Sequence, residues 1–417
     1  MDTMIIGLTA LFFSLVDVRL LGILASNFLF ILLVFVAVFY SRLRVDTEFL
    51  QFNLPFLFLL GFGLAAYAAV LPLYGSEDLY YIFFKNKDLL SEILLALVIY
   101  LFAVKREMGT EVIRLFIEFY FLVNFIYLLF RTLNPDLAFF FHQGENNIPI
   151  LLHGRERLLG WEPSYTVPVS IMFAAIYATI WERKAYLYLI LGFTLYIIIA
   201  GGSKTAFIFL FVSLFIWLYF VFADRIKSKL FFFSLVTIVF MISAYFVLNY
   251  LNAKNNYLNY RNLDEYHQYK IISFITRKEL ITATLEEIAG NPLGYGFGNA
   301  TVQLANSVTE NIDNYISPEI KESEKYAKSS KSQFLDYTLS GGIIFLFLLY
   351  RQQVFLLGRI NEMLDEERGK LYKIAIAFLI GTIVVGERIP FILILNFIWI
   401  VTIFPPASED EEEQNML

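Results

Sequence analysis

Long apolar runs broken by short polar stretches set the rhythm of this chain. A membrane-crossing helix needs roughly 20 predominantly apolar residues, and a window of that size predicts about 12 spans. They fall at 4–16, 20–40, 54–74, 89–104, 112–130, 165–181, 185–200, 205–222, 230–250, 336–350, 371–386 and 389–405. The runs are long enough for helices rather than barrel strands. Residues 1–250 thus hold nine spans with a polar loop at 131–164, and 336–405 hold the last three. Between them lies a stretch, 251–335, too long for a simple connection, and long loops with structure of their own are usually functional.

Within that stretch Thr276-Arg277-Lys278-Glu279 reads as a capping box, with Leu280, Ile281, Leu285 and Ile288 forming one apolar face. Gly290 and Pro292 close the helix. The pattern predicts a short amphipathic helix over 277–289 on the outer membrane surface, with Arg277 near its positive pole. The run Asn291-Pro292-Leu293-Gly294-Tyr295-Gly296-Phe297-Gly298 follows a helix end rather than a strand, so it is no dinucleotide or P-loop signal. It reads as a flexible loop allowing close backbone approach.

Lys and Arg fix the orientation. Arg42, Arg44, Lys105, Arg106, Arg183, Lys184, Arg225, Lys227, Lys229, Arg351, Arg359, Arg368 and Lys370 fall on alternate loops, which predicts these loops and both termini to be cytoplasmic. The stretch 251–335 then faces outward despite its lysines, as long loops do. The acidic run Ser408–Glu413, within the tail 406–417, reads as solvated.

Composition adds class and excludes chemistry. Of 417 residues, 58% are hydrophobic and 17% charged, with a mean hydropathy of +0.64. Soluble domains carry about 25% charged residues, so this is an all-α polytopic membrane protein. The absence of cysteine removes disulfides, thiolate metal sites and cysteine nucleophiles. Three histidines (His142, His153 and His267) make a zinc cluster improbable, and no cofactor is expected. Nothing suggests a nucleic-acid partner.

Candidate chemistry comes from charges near span ends, where ionisable groups in hydrocarbon cost roughly 2.5–3.5 kcal/mol. Asp17, Arg19, Glu92, Arg131, Arg155, Arg157, Glu162, Lys204, Asp336, Glu387 and Arg388 all map to external ends. Arg114 and Glu118 lie within a span, four residues apart, and can pair with each other. The clustering predicts a charged outer cavity suited to a phosphate ligand. The densest stretch is Gly154-Arg155-Glu156-Arg157-Leu158-Leu159-Gly160-Trp161-Glu162-Pro163-Ser164-Tyr165, with Pro163 at a helix start. Glu162 can take a proton from an attacking hydroxyl, or pair with Arg155 or Arg157 to hold the turn. The tight turn Gly201-Gly202-Ser203-Lys204-Thr205 predicts an anion site at a helix N-terminus.

These motifs, in this order, resemble the O-antigen polymerase and ligase superfamily of bacterial surface-polysaccharide synthesis. Arg157 to Ser164 is similar to its Arg-x-x-Gly-x-x-Glu-Pro-type segment, with compressed spacing, and Gly202-Ser203-Lys204-Thr205 to its Ser-Arg-Thr turn. Arg277 followed by Asn291-Pro292-Leu293-Gly294-Tyr295-Gly296 is similar to its Arg…Asn-Pro-x-x-Gly-x-Gly loop. Lys331-Ser332-Gln333-Phe334-Leu335-Asp336, with Gly341-Gly342, resembles the stretch where ligases carry His-Asn.

The resemblance implies a GT-C-like helical fold with a large periplasmic loop, in the bacterial inner membrane. It also implies glycosyl transfer from an undecaprenyl-pyrophosphate-linked oligosaccharide, without a nucleotide sugar or cofactor. Arg157, Lys204 and Arg277 would then bind pyrophosphate, with Arg155, Ser203, Lys331, Asp336 and Arg388 around it and Glu162 handling the proton. A chain-length regulator and a flippase are the implied partners, beside the lipid bilayer. Lys331 and Ser332 stand where ligases place histidine, which favours the polymerase branch. The other readings are the ligase and, in a different class, a lipid-linked oligosaccharide flippase.

Overall fold

A computed structural model describes residues 2–15, 19–20, 23–40, 46–134, 158–159, 163–181, 183–201, 265–314, 329–386 and 389–405. Numbered over those residues, the helices are α1 (Asp2–Ser14), α2 (Ala25–Tyr40), α3 (Thr47–Phe52), α4 (Leu54–Val70), α5 (Ser76–Tyr100) and α6 (Glu111–Leu133). They continue as α7 (Pro163–Ile180), α8 (Lys184–Gly201), α9 (Glu265–Gly290), α10 (Asn299–Glu310), α11 (Gln333–Met363), α12 (Glu366–Val385) and α13 (Phe391–Ile403). A two-residue antiparallel ladder, β1 (Arg19–Leu20) with β2 (Ile23–Leu24), precedes α2. A π-helical turn (Leu101–Lys105) ends α5.

The architecture is that of a helical membrane protein. Among the described residues, Glu111–Leu133, Lys184–Gly201 and Gln333–Met363 are long and apolar enough to cross a bilayer, and shorter apolar helices accompany them. The spans expected at 205–222 and 230–250 lie outside the described residues. The others fall on helices, with shifted ends. The span expected at 89–104 starts at Ser76, because helicity outlasts the apolar window. Asn86 donates to the Ile82 carbonyl at 2.9 Å, and Ser91 to the Lys87 carbonyl at 2.8 Å. The span expected at 336–350 lengthens to Gln333–Met363 and breaks at Gly342 (φ 58°, ψ −153°).

The chain divides into two compact units. The first contains residues 1–58, 87–210 and 348–417. Its core is α13, buried from Phe391 to Thr402. Trp399 stacks on Tyr100 at 5.1 Å and on Phe52 at 4.4 Å, while Phe397 meets Phe116 and Phe173. Two lone amides in this apolar core satisfy each other: Asn53 donates to Asn396 at 3.0 Å and Asn396 returns the bond at 2.8 Å. Each also donates to the carbonyl one turn back, so neither pays the full penalty of a buried polar group. Arg114 bonds Glu111 at 3.3 Å, and Glu118 accepts the Tyr177 hydroxyl at 2.7 Å.

The second unit contains residues 59–86 and 211–347. Its described core joins Leu280 and Ala283 of α9, Ala300, Leu304, Ala305 and Val308 of α10, and Leu339 of α11, with Ile288 and Tyr295 against them. The interiors of α9, α10 and the first part of α11 are therefore fixed by one apolar cluster.

Candidate functional site

Three expected site residues, Arg277, Lys331 and Asp336, lie on the described part of the second unit. Arg155, Arg157, Glu162, Ser203, Lys204 and Arg388 lie outside the described residues.

Arg277 sits on α9, but not at its start. The helix runs unbroken from Glu265, so Thr276 is an interior residue, 2% exposed, and not an N-cap. The capping-box reading over 277–289 is thereby corrected, and so is the placement of Arg277 at a helix pole. Ile271, Ile272 and Ile275 extend the apolar pattern upstream, and a Ser/Thr-x-x-Glu spacing carries no cap when helix precedes it. Arg277 is half-buried, three residues before the core residue Leu280.

Lys331 and Asp336 belong to the turn that starts α11. The Asp336 carboxylate accepts from the Ser330 amide at 2.9 Å and the Ser329 hydroxyl at 3.1 Å. The Ser330 hydroxyl donates to the Ser332 carbonyl at 2.8 Å and accepts from the Ser332 amide at 3.1 Å, and the Ser332 hydroxyl accepts from the Leu335 amide at 3.3 Å as a helix cap. This lacing holds Lys331 at φ 63°, a left-handed conformation that costs a side-chain-bearing residue ~1–2 kcal/mol. Such strain persists only where surrounding bonds over-determine it, and it gathers at ligand sites. Asp336 lies three residues before Leu339, so Arg277 and Asp336 each stand about one helical turn from the same apolar cluster.

The glycine-rich run is held by backbone bonds to α11. The break at Gly342 deprives the Leu339 and Ser340 carbonyls of their intrahelical donors. The run supplies replacements: the Tyr295 amide donates to Leu339 at 3.1 Å, and the Gly296 amide to Ser340 at 2.9 Å. In return the Ile343 amide donates to the Pro292 carbonyl at 2.9 Å. The segment is thus paired, strand-like, with the opened helix. This close approach demands glycine. A Cβ on Gly294 would stand 2.5 Å from the Ser340 carbonyl oxygen, and one on Gly342 would clash with Pro292 and Leu293 backbone. Gly294, Gly296 and Gly298 all have φ between 82° and 85°.

Side chains pin the remainder. Asn291 donates to the Gly294 carbonyl at 3.0 Å, Asn299 to Tyr295 at 2.9 Å, and Asn86 of α5 to Phe297 at 2.9 Å. The Tyr295 hydroxyl donates to Glu287 at 2.8 Å. Burial, then this carboxylate, pushes the phenol up to about 12. The sequence reading of a close-approach loop holds; its flexibility does not, because the loop's backbone is bonded to α11 and to the side chains of Asn86 on α5, of Asn291, and of Asn299 on α10, while the Tyr295 hydroxyl bonds Glu287 on α9.

In the first unit, Leu158 and Leu159, between Arg157 and Glu162 in sequence, are buried. Leu159 packs with Tyr127, Val123 and Leu15, and its amide faces Asn124 at 3.5 Å. Leu158 has φ 54°, a second strained residue in a stretch singled out from sequence. Helix α7 begins at Pro163, as expected. Glu92, counted among the outer charges, accepts from the Ile392 amide at 2.9 Å and caps α13. Sequence reasoning passed over Asn86, Lys87, Asn53 and Asn396. Lys87 is buried, 2.8 Å from Asn27 and 3.3 Å from Asp88. The signal was present as polar residues inside or beside apolar runs, where every polar group, not only a charge, needs a partner.

Residues 187–350 match the family model described as O-Antigen ligase, under half of the chain. That match supports the O-antigen polymerase and ligase superfamily. It covers Ser203, Lys204, Arg277, the glycine-rich run, Lys331 and Asp336. No curated protein and no solved structure matches the chain.

Proposed function

We propose that this chain, with its central segment matching the O-Antigen ligase family model, is a polymerase of lipid-linked glycan repeat units. A sugar hydroxyl on one unit attacks the anomeric carbon of a second unit, itself attached to undecaprenyl pyrophosphate. The new glycosidic bond forms as the anomeric carbon–oxygen bond to pyrophosphate breaks, and the bonding pair departs with the polyprenyl pyrophosphate. The acceptor's proton passes to a carboxylate, assigned to Glu162 from the sequence.

Charge on the departing pyrophosphate is the difficult part of the step, and a preorganised cation stabilises it where it develops. Arg277 takes this role, since guanidinium matches pyrophosphate oxygens bidentately. Arg157 and Lys204 carry further positive charge in the sequence reading, with Arg155, Ser203 and Arg388 as additional phosphate or sugar contacts. Lys331 supplies a point charge at the start of α11, and Asp336 holds the turn that presents it.

The observation that carries the reading is the laced turn at Ser329–Asp336 in the family-matched segment, with a strained lysine where ligases place histidine. Polymerisation follows more readily than ligation because that segment offers no histidine base. The reaction is assigned to the outer face of the bacterial inner membrane, consistent with the alternating Lys/Arg pattern.

The test is a strain lacking the gene, complemented with wild type or Arg277→Ala. Surface glycans and lipid-linked intermediates are resolved by gel. Single-repeat product in the deletion, extended to a ladder by wild type only, supports polymerisation. A full ladder trapped on the polyprenyl lipid in the deletion identifies a ligase. Repeat units held on the cytoplasmic leaflet identify a flippase.

A further inference from the structure

The glycine-rich loop binds no substrate in the function proposed above, yet its backbone is tightly constrained, by glycine contacts and by hydrogen bonds to α11. It leaves α9 at Asn291, pairs with the opened α11 through three backbone hydrogen bonds, and enters α10 at Asn299. Arg277 lies on α9 before it, and Lys331 and Asp336 lie on the turn entering α11. Any slip of the loop along Leu339–Ile343 would therefore shift α9 against the start of α11.

Asn86 shows that the arrangement exceeds what packing requires. Its amide nitrogen donates to both Ile82 and Phe297, while its side-chain oxygen is a buried acceptor without a hydrogen-bond partner among the described residues. An orphaned buried acceptor carries a desolvation penalty that an apolar residue would avoid. The side chain is there for its donor, held on the Phe297 carbonyl. The left-handed Lys331 adds strain in the turn that enters α11, the helix with which the loop pairs. Two local penalties, one on α5 and one at the start of α11, thus flank the loop.

We propose that the Pro292–Gly298 loop, spliced into the break of α11 and clamped by Asn86, positions Arg277 against Lys331 and Asp336 for glycosyl transfer. Asn86 and Tyr295 are then positioning residues; neither touches substrate. The inference rests on the polymerase reading, because it takes Arg277 as the pyrophosphate cation. A displacement near 1 Å of a catalytic group lowers a rate by up to about 100-fold, so such a device acts on turnover more than on binding.

The experiment uses the full chain in lipid nanodiscs with a lipid-pyrophosphate-linked repeat unit as substrate. Initial rates give kcat and KM per folded molecule for wild type, Asn86→Asp, Tyr295→Phe and the exposed control Lys278→Ala. Thermal unfolding supplies the folded fraction, and hydrogen exchange follows the amides of Tyr295, Gly296 and Ile343. Asn86→Asp, which removes the donor to Phe297, lowers kcat about tenfold or more with KM within about twofold. Those three amides lose protection in the same protein. Tyr295→Phe keeps the packing, lowers kcat about threefold, and preserves the test should Asn86→Asp fail to fold. Unchanged kcat per folded molecule in Tyr295→Phe, or in a folded Asn86→Asp, overturns the positioning role while active wild type leaves the polymerase reading standing. Wild type that forms no glycosidic bond overturns the polymerase reading, and the positioning role with it.

Discussion

Single residues decide where this fold tolerates change. Gly342 and Gly294 allow main chain to meet main chain, and a methyl group on either would collide with carbonyl oxygen or backbone carbon. Gly294→Ala is expected to lower stability by about 1–3 kcal/mol, beyond the usual glycine-to-alanine effect, because both space and φ oppose it. The exposed Gly192, with nothing near its Cβ position, serves as the control, and thermal unfolding in detergent compares the two. The Asn53–Asn396 pair behaves differently, since removing one partner orphans the other. Asn53→Ala should cost about 1–3 kcal/mol, whereas replacing both by Leu should recover much of that loss. Neither amide stood out in the sequence, because a neutral polar side chain in an apolar run leaves no mark on a charge map. The glycines did stand out, as a run asking for close approach. What they approach is Ser340 for Gly294, Ala66 for Gly296 and Ile82 for Gly298, all distant in sequence, which local spacing cannot reveal.

At the scale of elements, ten of the twelve apolar windows fall on described helices, and the start of α5 moved upstream where polar residues found bonds of their own. Helix α9 is the clearest case: a capping-box spacing predicted its start at residue 277, and it begins by Glu265. Proline tests the difference. Ser273→Pro would be harmless before a helix start but should cost about 3 kcal/mol inside α9, read as a loss of thermal stability. The short helix α3 gives the pH dependence. Asp46 caps it, and the Glu48 amide, followed by Lys105, holds the carboxyl below its ordinary value. A depressed carboxyl contributes stability above its unfolded pKa and loses it as pH falls through the folded one. Wild type should therefore lose a modest increment on acidification from about pH 5 to pH 3 that Asp46→Asn lacks, the exposed site keeping it small. Comparing acid-melting curves of the two proteins measures it.

For the whole molecule, an apolar, helical, cysteine-free membrane protein was legible from composition and periodicity alone. The superfamily was legible from motif order, and the match over 187–350 agrees with it. The physical role of the motifs was not legible, because it depends on pairing between distant segments. The Asn-Pro-…-Gly run proves to be a splice into a broken helix, and Asp336 proves to hold a turn. In the proposed function, Arg277 works within a protein that joins lipid-linked repeat units without a nucleotide sugar. The most direct measurement supplies purified full-length protein in nanodiscs with one defined lipid-pyrophosphate-linked repeat unit and nothing else, then counts repeats per lipid by mass spectrometry. Wild type should yield a ladder of two or more repeats with one free polyprenyl pyrophosphate released per bond. Arg277→Ala, equally folded, should slow this about 100-fold or more. Unextended substrate with wild type, or an equally fast ladder with Arg277→Ala, would contradict the account.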